Sequence, residues 1–90
     1  MKREEKTLIP GTVIQHFKRE GLSEEQKKSN MYKYMVVSVA QHTETGEELV
    51  IYSALYDNKT YARPKDMFLS KVDKEKYPNT KQEYRFEIVE

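Results

Sequence analysis

Two strand-length runs joined by a short polar turn constrain this chain more than any other feature. Tyr32 to Gln41 and Glu47 to Tyr56 are rich in β-branched and aromatic residues, and His42-Thr43-Glu44-Thr45-Gly46 connects them. Runs of this kind around a glycine-bearing turn read as a β-hairpin. Residues directly opposite in an antiparallel pair share a face. A three-residue loop, Glu44-Thr45-Gly46, with Gly46 in the left-handed region, sets Thr43 against Glu47, so every opposed pair of numbers sums to ninety. Met35, Val37 and Val39 then meet Leu55, Ser53 and Ile51 on an aliphatic face. Tyr34, Val36, Ser38 and Ala40 meet Tyr56, Ala54, Tyr52 and Val50 on an aromatic face. A two- or four-residue loop would shift parity and mix the two sets, which register specificity disfavours.

The rest of the chain is organised around that hairpin. Residues 1–9 read as a frayed end, and Pro10-Gly11 marks a turn into a first strand over Thr12 to Lys18. Arg19 to Asn30 is charged and carries a capping-box pattern at Ser23-Glu24-Glu25-Gln26, so it reads as a surface insertion with one helical turn. A two-residue turn at Asn58-Lys59 suits the tolerance of asparagine for positive φ and would set Tyr56 against Tyr61 and Ala54 against Arg63. Arg63 precedes a proline and is held extended. Pro64 to Phe68 reads as a short helical turn and Phe68 to Val72 as a brief strand. Lys71 to Gln82 is a charged loop, and Tyr84 to Val89 alternates as a closing strand. Both hairpin faces are largely apolar or aromatic, so a flat sheet would expose one of them. The expected fold is all-β: a single domain over residues 1–90, curled into a barrel or roll of five to six short, mainly antiparallel strands with one helical turn. Curling is expected to bury the aliphatic face and leave the tyrosine face partly open.

Composition narrows the chemistry. Lys plus Arg at 16 against Asp plus Glu at 15 leaves +1, too weak a field for polyanion binding by charge alone. The absence of cysteine excludes disulfides, thiolate zinc sites and thiol nucleophiles. Two histidines without cysteine argue against zinc, and Asp57, Asp66 and Asp73 lack calcium-loop spacing. With three glycines there is no backbone-lined phosphate cradle, and no serine elbow or paired carboxylates are present. No metal and no cofactor are therefore expected. The longest nearly apolar stretch, Tyr34 to Ala40, is too short to span a bilayer, and the start lacks a secretory h-region. The expected setting is cytoplasmic, without membrane attachment. A monomer is expected, or a weak homodimer where the closing strand forms an exposed edge.

A set of dispersed motifs resembles a known family. His16-Phe17-Lys18, Ala40, His42-Thr43-Glu44-Thr45-Gly46-Glu47-Glu48, Val50-Ile51-Tyr52, Ala54-Leu55-Tyr56, Arg63-Pro64, Met67-Phe68 and Arg85-Phe86 are similar to the small bacterial domain-of-unknown-function family numbered 1653. The resemblance implies a short, usually free-standing bacterial protein with an SH3-like β-roll, and it implies no activity. The chain departs from the pattern in two places. Arg19 to Asn30 intervenes where the family usually passes to the next strand through a few residues, and Tyr61 stands where the family often carries tryptophan or another large residue.

Three groups of residues are candidates for a site. Tyr34, Tyr52, Tyr56 and Tyr61 with Arg63 would offer ring area and one cation to a peptide, a base or a small anion. Plain packing, with Arg63 laid over a ring, accounts for the same residues. His42 faces Glu48 across the hairpin mouth in the expected register, an arrangement that favours the imidazolium; the alternative is a solvated pair worth under about 1 kcal/mol. His42 and Arg63 would lie about 20 Å apart at roughly 3.3 Å per residue. His16 shares a strand face with Ile14 and reads as a partly buried, hydrogen-bonded imidazole. The expectation is a non-enzymatic binding module that presents the tyrosine face and Arg63 to a peptide or small polar ligand. The alternatives are a weak single-stranded nucleic-acid binder and an enzyme acting on a small anionic substrate through His42 and Arg63.

Overall fold

The computed structural model describes residues 3–89, with side chains from residue 5 onward. Five antiparallel strands, β1 (Val13–His16), β2 (Lys33–Gln41), β3 (Glu48–Ala54), β4 (Thr60–Pro64) and β5 (Phe86–Ile88), form a sheet in the order β4-β3-β2-β1-β5. The expected barrel does not close, and β4 and β5 are the two edges of an open sheet. The sheet is nonetheless curled. Three strands separate β4 from β5, so a flat sheet would hold them about 19 Å apart at roughly 4.8 Å per strand. The Arg63 guanidinium on β4 lies 5.5 Å from the Phe86 ring centroid on β5. An extended arginine spans only part of that gap, and curvature supplies the rest.

The hairpin differs from expectation in two ways that offset each other. Its loop holds four residues, Thr43 to Gly46, closed by the His42 N–H donating to the Glu47 carbonyl at 2.8 Å, with Gly46 at φ +77°. Gln41 therefore opposes Glu48, Val39 opposes Val50, and His42 does not face Glu48. Alone, this one-residue shift would send the side chains to the wrong faces. A β-bulge at Val37 restores parity, so Val36 opposes Tyr52 and Tyr34 opposes Ala54. Tyr34, Val36, Val50, Tyr52 and Ala54 thus share one face after all. The β3–β4 loop also has four residues, Leu55 to Asn58, closed by the Ala54 N–H donating to the Lys59 carbonyl at 2.9 Å, with Asn58 at φ +59°. Tyr61 opposes Tyr52 and Arg63 opposes Val50. The slide from the expected register is even, so both residues keep to the tyrosine face.

Which face lies inside is the reverse of expectation. Tyr34 and Tyr52 are only 8 % and 4 % exposed, whereas Met35 and Val37 are 37 % and 42 % exposed. The tyrosine face receives Phe68 from α3 (Lys65–Phe68) and Phe86 from β5, which stack at 4.5 Å and 15°. Large rings bury more apolar area per residue than valines do, so the aromatic side closes on itself. The Tyr34 hydroxyl keeps a partner inside, 3.3 Å from that of Tyr56. Burial and that bond raise its pKa well above the ordinary phenol value.

The connections complete the scaffold. Met1 and Lys2, part of the segment expected to fray, lie outside the described residues, while α1 (Arg3–Thr7) follows and leaves Thr7 fully buried. The chain leaves β1 at His16 in a 3-10 turn over Phe17–Gly21. In the insertion, α2 (Glu24–Lys27) has the capping box formed in both directions between Ser23 and Gln26. Arg19 anchors this segment: it is buried and donates to the Lys27, Ser29 and Met31 carbonyls at 2.6, 3.2 and 2.7 Å. The brief strand expected over Phe68 to Val72 is replaced by a single bridge between Lys71 and Tyr84. Among the described residues, no helix is long and apolar enough to cross a membrane.

Candidate functional site

Curling brings the end of β1, the end of β4 and the approach to β5 onto one cavity of about 290 Å³. His16, Phe17 and Lys18 line one side, Arg63 and Arg85 another, and Val72, Asp73, Lys76 and Tyr77 close it from the loop before β5. That loop is held by the buried Gln82, whose amide nitrogen donates to the Gln15, Tyr84 and Arg85 carbonyls at 3.2, 2.9 and 3.3 Å. The Gln15 side chain donates back to the Gln82 side-chain oxygen at 3.1 Å.

His16 is placed by its backbone. It caps the 3-10 turn, and its Nδ1 accepts the Lys18 N–H at 3.1 Å. In the neutral ring the proton is therefore on Nε2, a donor. The imidazole packs against Phe17 and, edge-on, against Phe86, at 4.4 and 5.1 Å between centroids. Burial, then the positive charges of Arg63, Lys18 and Arg85, bring its pKa down to about 4. Arg85 is positioned by its Nε donating to the Ser70 hydroxyl at 3.2 Å. Its own pKa is lowered, first by burial and then by Arg63. Among the described residues, neither Arg63 nor Arg85 forms an ion pair. Among the described residues the one acid in the lining, Asp73, already accepts the Glu75 and Lys76 N–H groups on Oδ1 at 3.0 and 3.3 Å.

The residues singled out from sequence divide among three places. Arg63 is in the cavity. Tyr34 and Tyr52 are core residues, and Tyr56 and Tyr61 are exposed beside them, Tyr61 donating to Asp57 Oδ2 at 2.8 Å. That bond, followed by desolvation, pushes the Tyr61 pKa up to about 12. His42 stays at the hairpin tip, where Nδ1 accepts the Glu44 and Thr45 N–H groups at 3.1 and 3.2 Å. Glu48 is exposed and pairs with Lys65 at 3.5 Å. Arg63 opposes Val50, which opposes Val39, so His42 is three residues along from Arg63 rather than six. It still lies outside the cavity that holds Arg63. Among the described residues, no three His, Cys, Asp or Glu side chains gather to hold a metal.

The model of the family described as "Protein of unknown function (DUF1653)" matches residues 12–88. The chain belongs to that family. No curated protein and no solved structure matches it. The DUF1653 resemblance rests in part on His16-Phe17-Lys18, Arg63 and Arg85, which lie far apart in the chain and meet at this one cavity. Sequence reasoning read His16 as a partly buried, hydrogen-bonded imidazole, which it is, but gave it no place in a site, passed over Arg85 as part of an alternating strand, and gave Tyr77 no role. The available signal was that the His-Phe-Lys, Arg-Pro and Arg-Phe motifs each place a cation beside an aromatic or a proline.

Proposed function

We propose that this DUF1653 protein is a binding module for a small, multiply charged anion, phosphate or a phosphomonoester, seated between Arg63 and Arg85. The observation that carries this is two guanidiniums lining one cavity, neither of which forms an ion pair among the described residues, with Asp73 also in the lining. Partly buried like charges repel, and a ligand that supplies the counter-charge relieves them. Guanidinium forks match phosphate oxygens in a bidentate way, Lys18 and Lys76 add charge, and His16 contributes a directional Nε2–H donor. The reading keeps Arg63 from the sequence expectation and moves the site from an open tyrosine surface to the end of the ring core.

Binding fits better than turnover. The enzymatic alternative needs His42 and Arg63 on one ligand, and they do not share this cavity. The test is an NMR titration with inorganic phosphate that follows the Arg63 and Arg85 Nε–H signals and the His16 ring. A dissociation constant on the order of 1 mM is expected, with the His16 midpoint moving up from about 4 as the anion offsets its cationic neighbours. Arg63→Gln and Arg85→Gln should each abolish the response. Signals that stay put in excess phosphate would refute the assignment.

A further inference from the structure

A second cavity, about 710 Å³, adjoins the first. The two share Phe17, Lys18, Lys76 and Tyr77 as a common wall, and the larger one adds Lys27 and Lys81. Together their linings hold six cations, Lys18, Lys27, Arg63, Lys76, Lys81 and Arg85, against Glu20 and Asp73. Among the described residues, none of the six forms an ion pair. Glu20 is also occupied, accepting the Lys81 and Gln82 N–H groups at 3.0 and 2.8 Å. A net charge of +1 for the whole chain therefore conceals a strongly positive track. The ridge between the cavities is aromatic. Tyr77 is partly exposed and braced by Phe17, with centroids 4.8 Å apart at 61°. Lys76 Nζ rests 5.6 Å from the Tyr77 centroid.

We propose that the two cavities form one track for single-stranded nucleic acid, with one phosphate between Arg63 and Arg85, a base on Tyr77, and the following phosphates beside Lys27 and Lys81. The inference rests on the anion site proposed above and extends it to a polymer. Alternation of cations with a ring is what a single strand requires, because each of its bases offers a flat face and each linkage a charge. Lys76 caps the Tyr77 ring only through an exposed cation–π contact, which base stacking outweighs, and the displaced ammonium has a phosphate to meet. An acidic peptide would satisfy the lysines but leave Tyr77 unused.

The test is fluorescence anisotropy of the full chain with a short labelled oligothymidylate across a salt series, beside thymidine monophosphate and an abasic phosphodiester strand of equal length. The oligothymidylate should bind at least about tenfold tighter than the mononucleotide. The slope of log K against log salt should be about −2, as for roughly three phosphate contacts. Lys27→Glu with Lys81→Glu, both exposed positions, should weaken the oligonucleotide about tenfold or more while the phosphate-induced NMR shifts of Arg63, Arg85 and His16 persist. Equal binding of the abasic strand, equally effective competition by polyglutamate, or no effect of the lysine reversals would overturn the nucleic-acid inference. If phosphate shifts persist while the oligonucleotide fails to bind, only this inference falls. If both are lost, the anion site falls with it.

Discussion

Acidifying the protein from about pH 7.5 to about pH 4 should destabilise it through His16. The imidazole has a folded pKa of about 4 against an ordinary value of 6.5. Between those values the unfolded chain binds a proton that the folded chain refuses, so stability rises with pH. His16 contributes its full share above 6.5 and loses it as pH falls through that window toward 4. At about 1.4 kcal/mol per unit the ceiling is roughly 3 kcal/mol, and solvent screening in an open cavity brings this to about 1.5 kcal/mol. The control is His16→Asn, which keeps an acceptor for the Lys18 N–H at the cap but does not titrate. Urea unfolding of both proteins across the pH range cancels the carboxylates they share. With an m-value of about 1.5 kcal/mol/M, the wild-type midpoint should fall about 1 M further than that of the variant. Parallel curves, within about 0.3 kcal/mol, would refute the assignment of a neutral, charge-crowded imidazole. In phosphate the wild-type loss should shrink, because a bound anion raises the folded pKa.

Other perturbations test the fold beneath the site. Phe86→Ala removes a ring stacked 4.5 Å from Phe68 and packed against Tyr34, Tyr52 and His16; a loss of about 3 to 5 kcal/mol is expected by calorimetry. Arg19→Met keeps the aliphatic stem but deletes three carbonyl contacts. It should cost about 2 to 3 kcal/mol and speed amide exchange in the segment around α2 while the β2–β3 amides stay protected. At Gly46 an added Cβ would meet, among the described residues, only Gln41 Nε2, at 3.8 Å, so the penalty for Gly46→Ala is conformational. About 1 to 2 kcal/mol is expected in chemical denaturation. Met35→Lys and Val37→Lys lie on the exposed side and should each change stability by no more than about 0.5 kcal/mol in the same assay.

The expectations that held were local. The Ser23–Gln26 capping box, the helical turn after Pro64, and the positive φ of Gly46 and Asn58 each depend on a few neighbouring residues. The grouping of Tyr34, Val36, Tyr52 and Ala54 on one face also held, although the route differed. Loop length and bulge each moved the register by one residue, and period-two side-chain alternation tolerates the pair but neither alone. The bulge itself left no mark, because Val37 is chemically like its neighbours. The site was legible only as fragments. His16, Arg63 and Arg85 were all visible as motif residues, but nothing in their spacing places them together.

What the chain determined by itself is the partition of the central ribbon into a ring-bearing side and an aliphatic side, together with the turns that reverse it. Alternation and turn chemistry operate within a handful of residues, so they can be read without the rest of the molecule. Tertiary structure alone decided that the rings face inward. Phe68 and Phe86 arrive from after β4 and from the chain end to cover them, and two apolar faces of similar merit are separated only by which one finds such partners. The same curvature carries Arg63 across to Phe86 and sets it beside His16 and Arg85. Such convergence depends on the geometry of the closed core, which no local stretch of sequence specifies.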